Sequence, residues 1–291
     1  MNEIVILSGK GGTGKTSIAA ALASLAGNEV VIADCDVDAS NMHLLLQPDF
    51  HFSEDFYSGH LARIHPEKCM KCGLCIMKCR FEAIILTGDD YMIDPVSCEG
   101  CGYCQMICPL QAISMEERLS GKFYISRTRI NNVLVHASLD IAAGNSGKLV
   151  AKVKSEARKI AVSEHIPFII VDGPPGIGCP VISSLAGATF VLIITEPTVS
   201  GIHDLERLIP LIRHFRARMA CIINKSDINI SKTKEIHDYL KQQNILHIAD
   251  IPYDSLFMES MVKGLTITET GSPLSGQLVN IWTTIKEFLK N

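Results

Sequence analysis

Short, mostly apolar runs alternate along the chain with longer stretches in which apolar residues return every three or four positions. The runs lie at 3–7, 30–33, 133–136, 167–172, 190–195, 219–224 and 245–248. Runs so short and so continuously apolar predict strands buried on both faces, and hence a parallel sheet. Between them, 15–26, 149–164 and 201–215 carry helical spacing. Gly27 and Asn28 follow the first of these, where a left-handed residue commonly ends a helix. The last stretch, 274–289, places Leu274, Leu278, Ile281, Trp282, Ile285, Phe288 and Leu289 on one stripe. Its polar face lacks the Lys/Arg excess of a membrane-surface helix, so the stripe is expected to close the core. Strands and helices in this alternation predict an α/β fold, a doubly wound parallel sheet with helices on both faces.

From about 60 to 118 the alternation stops and the composition turns to Cys, Met, Lys and Gly. The segment is a tandem repeat of 29 residues: Cys69, Cys72, Cys75 and Cys79 map onto Cys98, Cys101, Cys104 and Cys108, and Ala83-Ile84 onto Ala112-Ile113. The expected organisation is a discontinuous main domain, 1–58 and 119–291, carrying an inserted domain at 59–118 built from repeats 60–88 and 89–118. C-x2-C-x2-C-x3-C, present twice, is the spacing of bacterial ferredoxins, in which the fourth Cys of each run serves the other cluster. On that pattern Cys69, Cys72, Cys75 and Cys108 hold one [4Fe–4S] cluster, and Cys98, Cys101, Cys104 and Cys79 the second. The insertion is then a small α+β ferredoxin-like domain. Backbone amides freed by Gly73 and Gly102 suit the cluster sulfides. Pro109 follows the last Cys, whereas Arg80 stands at the matching place in the first repeat and puts a positive charge beside one cluster. Zinc is the other metal that takes four thiolates, but it leaves the third Cys of each run and the duplication unexplained.

Gly9-Lys10-Gly11-Gly12-Thr13-Gly14-Lys15-Thr16, followed by Ser17, satisfies G-x4-G-K-[ST] after a strand and at the start of a helix. Glycines let successive backbone N–H groups wrap phosphates, and the helix N-terminus adds partial positive charge. Lys15 is expected on the β- and γ-phosphates and the Thr16 hydroxyl on Mg²⁺. Lys10 is an addition that a phosphate loop does not require. With it, the loop resembles that of the Mrp/MinD family, which includes the nitrogenase iron protein. The resemblance covers roughly 230 residues outside the Cys zone. It implies a P-loop ATPase acting as a homodimer that sandwiches two nucleotides, with Lys10 reaching the partner's nucleotide. Val31 to Asp38 followed by Asn41 is similar to the family's first switch; it implies that Asp36 orients or deprotonates the attacking water and that Asp34 supports the lysine and magnesium shell. Residues 168–176 resemble the strand carrying the magnesium-shell carboxylate, here Asp172, and the second switch. Asn224-Lys225-Ser226-Asp227 and Ile251-Pro252-Tyr253-Asp254 resemble the elements that contact the base. The family implies ATP; Asp227 leaves GTP open.

The chain has 291 residues, 27 basic and 31 acidic, for a net charge of −4, with 47% apolar residues. That balance argues against a nucleic-acid partner bound through a basic surface. No apolar run approaches the roughly 18–20 residues of a membrane span, and no leader is evident, so the expected location is cytoplasmic. Of the 11 cysteines, eight lie within 69–108, a density that reads as metal ligands in a reducing compartment. Cys35 and Cys221 read as packing residues. Cys179, seven residues after Asp172, matches a position at which the nitrogenase iron protein carries a ligand for a subunit-bridging cluster, so a transient cluster or metal there is a hypothesis. His43, His51, His60 and His65 read as loop residues. The expected function is ATP hydrolysis coupled to electron transfer or to Fe–S cluster delivery to a partner protein. The alternative is a positioning or scaffold ATPase of the MinD type whose clusters are structural or sense redox state.

Overall fold

The computed structural model describes residues 1–140 and 143–290. The strands are β1 (Asn2–Ser8), β2 (Val30–Asp34), β3 (Phe52–Ile64), β4 (Ile84–Thr87), β5 (Asp90–Ile93), β6 (Ile113–Arg127), β7 (Val133–Leu139), β8 (Phe168–Pro175), β9 (Phe190–Thr195), β10 (Arg218–Asn224) and β11 (Leu246–Ile251). The helices are α1 (Lys15–Ala26), α2 (Met42–Leu46), α3 (Leu74–Lys78), α4 (Tyr103–Ile107), α5 (Ser146–Ser163), α6 (Cys179–Leu185), α7 (Val199–His214), α8 (Ile230–Gln242), α9 (Leu256–Val262) and α10 (Leu274–Lys290). They form two compact units. Unit 1 takes Met1–Ser53, Phe123–Ser138 and Ser146–Asn291; unit 2 takes Glu54–Lys122 and Leu139–Asn145.

In unit 1 the sheet runs β11-β10-β9-β1-β8-β2-β7, and the pairs from β11 through to β7 are parallel. The apolar runs became strands, and the inner ones are buried on both faces: Ile4 to Leu7, Val31 to Ala33 and Phe190 to Ile194 are all 0% exposed, whereas the 245–248 run falls in the edge strand β11, where Leu246 is 38% exposed. The run of small residues in α1, Ala19 to Ala21 and Ala23, lets that helix approach the sheet closely. The α10 stripe does close the core. Leu278, Ile281, Trp282 and Ile285 are buried in the same cluster as α1, and Trp282 meets Phe168 edge-on with ring centroids 5.4 Å apart. One charged cluster is buried on the other face of the sheet, beneath α5. Glu3, at the start of β1, bridges Lys154 and Arg158 at 2.6 Å each, which compensates the burial of its carboxylate.

The loop before β7 is pinned to the segment after α9. Arg129 binds Glu269 through both terminal guanidinium nitrogens at 2.6 Å, and its Nε donates to the carbonyls of Leu45 and Gly264. The Arg129 pair, aided by donors from Thr266, holds the Glu269 carboxyl down at about 2 from an ordinary 4.5. A carboxyl with a lowered folded value stabilises the fold where it is charged, and that stability drains away as pH falls from about 4.5 towards 2. Glu269→Gln is therefore expected to lower unfolding free energy at pH 7 by about 1–2 kcal/mol. The deficit should vanish near pH 2, as measured by urea melts at both pH values.

Unit 2 contains α3, α4, the antiparallel β4–β5 hairpin and most of β3 and β6. The 29-residue repeat is visible in its backbone. Left-handed residues recur in pairs 29 apart: Lys71 and Gly100, Gly73 and Gly102, Glu82 and Gln111. Gly73 and Gly102 precede α3 and α4 with φ/ψ of 76/0 and 75/−2. Gly100 is fixed by space as well as angle, since a Cβ there would lie 2.1 Å from the His60 carbonyl oxygen. Unit 2 begins and ends a few residues outside the expected 59–118 and adds 139–145. The reason is the length of β3 and β6, 13 and 15 residues, which carry the chain out of unit 1 and back into it.

Candidate functional site

The C-terminal ends of β1, β8, β2, β10 and β11 surround a cavity of about 570 Å³. That size is within the range of small-molecule sites. Gly11, Gly12, Gly14, Lys15, Thr16, Ser17, Asp36, Asn224 and Pro252 line it. Gly12 and Gly14 have φ of +77° and +91°, which L side chains rarely adopt. A Cβ on Gly14 would also lie 2.5 Å from Nδ2 of Asn224. Asn224 donates from that atom to the Thr13 carbonyl at 2.8 Å, and Lys225 donates to the Gly12 carbonyl at 3.0 Å. The loop is thus braced from β10. Gly9 and Thr13 line a separate small recess beside Asp204.

Parallel register puts Asp172 beside both Ile6 and Asp34. Asp172 is 1% exposed; its Oδ2 accepts from the Thr16 hydroxyl at 2.6 Å, while its Oδ1 is buried without a hydrogen-bond partner. A buried carboxylate oxygen left open next to a loop hydroxyl suits a hydrated Mg²⁺, so these residues fit the ion. Asp34 is fully buried and accepts from the Ser40 hydroxyl at 2.6 Å and the Asp36 amide at 3.2 Å. Burial pushes both the Asp34 and Asp172 carboxyls up, and for Asp34 the neighbouring Asp172 adds to the push. Asp36 faces the cavity. Partial burial raises its carboxyl as well, against the pull of Lys15.

Lys10 is held within its own chain. Its Nζ lies 2.5 Å from Glu196, 2.9 Å from the Ser200 hydroxyl and 3.2 Å from that of Thr198. Glu196 also takes Lys225 at 3.1 Å, so one carboxylate clasps two lysines. Neither the clasp nor the role of Lys225 in bracing the loop was foreseen, because a Glu after an apolar strand has no distinguishing pattern. Pro252, Tyr253, Phe257, Met258 and Met261 give the far end of the cavity an apolar lining suited to a base. Asp227 does not line it; its carboxylate accepts from the Tyr253 amide at 2.7 Å and shapes the turn instead.

The eight repeat cysteines of unit 2 fall into two groups. Cys69, Cys72, Cys75 and Cys108 line one narrow cavity; Cys79, Cys98, Cys101 and Cys104 line a roomier one, to which Cys75 also contributes. Each run therefore gives its fourth Cys to the other run's group. Tetrahedral zinc, with Zn–S of about 2.3 Å, brings sulfurs to within ~3.8 Å of one another. Among the described residues, the one set of three or more possible ligand atoms within 4.8 Å is His237, His247 and Asp250, so no three of these sulfurs are that close. Four cysteines around each cavity are the donor set of a cubane, which takes one thiolate on each iron. Lys78 and Arg80 line the second cavity and Pro109 the first, so the repeats surround their cysteines with different charge. Cys35 and Cys221 are fully buried, as expected of packing residues, and Cys179 is exposed at the start of α6.

The family model of the CobQ/CobB/MinD/ParA nucleotide binding domain matches residues 4–267. The chain belongs to that family. An uncharacterized protein of Methanocaldococcus jannaschii is 34% identical over 290 residues, covering 99% of this chain and 97% of the relative. The septum site-determining protein MinD of Thermotoga maritima is 25% identical over 281 residues, covering 94% of this chain and 81% of the relative. Among solved structures, MinD of Pyrococcus horikoshii complexed with Mg-ADP gives a TM-score of 0.59 at 16% identity, covering 99% of this chain and 96% of that one. MinD from the MinC:MinD complex of Aquifex aeolicus gives 0.60 at 20%, covering 99% and 96%. At such identities these two likenesses concern the fold. The protein thus carries a nucleotide-binding domain of this family, with its site at the end of the parallel sheet. Among its described residues no helix is long and apolar enough to cross a membrane.

Proposed function

We propose that this MinD/ParA-type ATPase holds two [4Fe–4S] clusters in unit 2, and couples ATP turnover in a homodimer to electron transfer or to cluster delivery to a partner protein. What supports the clusters is the sorting of eight cysteines into two fours with the fourth members exchanged. A second support is the core of unit 2. Its fully buried apolar side chains are few, and half-buried cysteines complete the cluster, so the unit needs a staple beyond hydrophobic burial.

In hydrolysis the loop amides and Lys15 bind the phosphates, and the Thr16 hydroxyl and Asp172 would hold Mg²⁺. The ion supplies charge neutralisation at the β- and γ-phosphates. Asp36 orients the attacking water and accepts its proton, a role helped by the upward push on its carboxyl. Lys10 must exchange Glu196 for the partner's nucleotide, so the clasp sets a threshold for dimer formation. Lys10→Ala is expected to lower turnover at least ~100-fold, the scale of losing a cation supplied in trans. Glu196→Gln is expected to raise both ATP-dependent dimerisation and turnover a few-fold, read by light scattering and phosphate release. Normal turnover in Lys10→Ala would refute the arrangement in trans.

The MinD relatives favour a second function, a positioning or scaffold ATPase whose clusters are structural or sense redox state. Those of Thermotoga, Synechocystis and Buchnera match along 93–94% of this chain. Protein purified without oxygen separates the two. Roughly eight irons and eight sulfides per chain are expected on either account. ATP-dependent electron or cluster delivery to an acceptor supports the first. Clusters indifferent to nucleotide, with ATP-controlled self-association on a surface, support the second.

A further inference from the structure

Away from both sites, three side chains of unit 1 converge at the outer edge of the sheet. His237 comes from α8; His247 and Asp250 come from β11, the edge strand. The Nε2 atoms of His237 and His247 lie 3.0 and 2.9 Å from the same atom, Oδ1 of Asp250. The two imidazole rings sit 4.5 Å apart, tilted by 41°. All three side chains are 30–40% exposed, open to solvent yet backed by packed structure.

The backbone is shaped to bring them together. In a regular strand, residues three apart point to opposite faces, so His247 and Asp250 should not meet. The β10–β11 register slips here: Cys221 pairs with His247 but Ile222 pairs with Ala249, leaving Ile248 as an extra residue. A bulge of this kind re-aims side chains. Here it turns His247 and Asp250 to one side, where His237 meets them. Asp250 is fixed further by its carbonyl, which accepts from Gln277 at 2.6 Å.

We propose that His237, His247 and Asp250 form a binding site for a borderline divalent transition-metal ion of the zinc, cobalt or nickel class. Two imidazole nitrogens and one carboxylate oxygen are the donor set such ions take, and thiolate-free ligation of this kind differs from the cysteine sites of unit 2. Three protein donors at a half-open edge leave at least one coordination position to water or a second ligand. Pro252 and Tyr253, two and three residues beyond Asp250, line the base end of the nucleotide cavity, so an ion here would stiffen the turn that grips the nucleotide.

The test is a titration of anaerobically purified, cluster-loaded full-length protein with Zn²⁺ alone, followed by calorimetry, and with Co²⁺ alone, followed by absorption. Saturable binding of one ion per chain is expected, weakened at least ~10-fold in His237→Asn and in His247→Asn, the scale at which a lost ligand or its support is felt. The Co²⁺ spectrum should show d–d bands without the intense near-ultraviolet band of thiolate ligation. Equal affinity in wild type and in the double variant His237→Asn/His247→Asn overturns the proposal. So does a thiolate band, or the absence of saturable binding, which would leave the trio as a hydrogen-bonded cluster. Unchanged clusters and circular dichroism in the variants show that lost binding is not lost folding.

Discussion

Asp172→Asn should cut ATP hydrolysis at least ~100-fold while making the ligand-free protein more stable. The loss follows from position. Asp172 is the carboxylate beside the Thr16 hydroxyl, with its second oxygen unpartnered and available to a hydrated ion. Removing one preorganised electrostatic group at such a centre costs ~3 kcal/mol of barrier stabilisation. The gain follows from the same burial. Asp34 and Asp172 sit side by side in the sheet, and burial raises both carboxyls above the ordinary aspartate range. A carboxyl whose folded value is raised binds its proton more tightly folded than unfolded. Its cost to stability is absent in acid and grows as pH rises through the folded value. The amide never carries that charge. The Tm advantage of Asp172→Asn should therefore be small near pH 4 and largest near pH 8, in buffer without Mg²⁺ or nucleotide. Function and stability pull in opposite directions at this residue, as expected where a site keeps an uncompensated charge for its ligand. A variant less stable than wild type at pH 8 would contradict this account of the centre.

The second large effect concerns the exchanged cysteines. Cys108→Ser is expected to remove the same cluster as Cys72→Ser, and Cys79→Ser the same cluster as Cys101→Ser, each leaving about half of roughly eight irons. The exchange predicts that Cys108→Ser, although it lies in the second repeat, silences the electron paramagnetic resonance signal of the first. The two signals should be separable because Lys78 and Arg80 line one cavity and Pro109 the other. Removing either cluster should also loosen unit 2, whose apolar core is small, and limited proteolysis should cut first within 54–122. Losses that followed repeat membership instead would dismantle the exchanged arrangement.

How much of this was legible beforehand varied with the physics. The phosphate loop was readable because left-handed angles at Gly12 and Gly14 and the close approach of Asn224 admit only glycine. The parallel strands of unit 1 were readable because burial on both faces forces unbroken apolar runs. β3 and β6 were not, because polar residues occupy inward positions. Ser58 and Ser120 are both buried, and the Ser120 hydroxyl donates to the Ser58 carbonyl at 2.8 Å, so the period of two is hidden. The buried Glu3–Lys154–Arg158 cluster and the clasp of Glu196 on Lys10 join residues 151 to 186 positions apart, which no local pattern encodes. The convergence of His247 with Asp250 depends on a bulge that breaks the strand alternation on which sequence reading relies. Asp227 was expected in the nucleotide site on the strength of its N-K-x-D setting. In the fold that carboxylate is turned to the Tyr253 amide, which weakens the case for guanine.

The central claim is that nucleotide state and the cysteine-held clusters are coupled within one chain. Its most direct measurement is an anaerobic redox titration of the clusters in the purified protein, followed by electron paramagnetic resonance, with and without Mg·ATP. The Asp172→Asn variant serves as the internal control. Coupling predicts that midpoint potentials shift by tens of millivolts, on the order of 1 kcal/mol or more, when wild type binds Mg·ATP, and stay put in the variant. Potentials that are identical in both nucleotide states would contradict it.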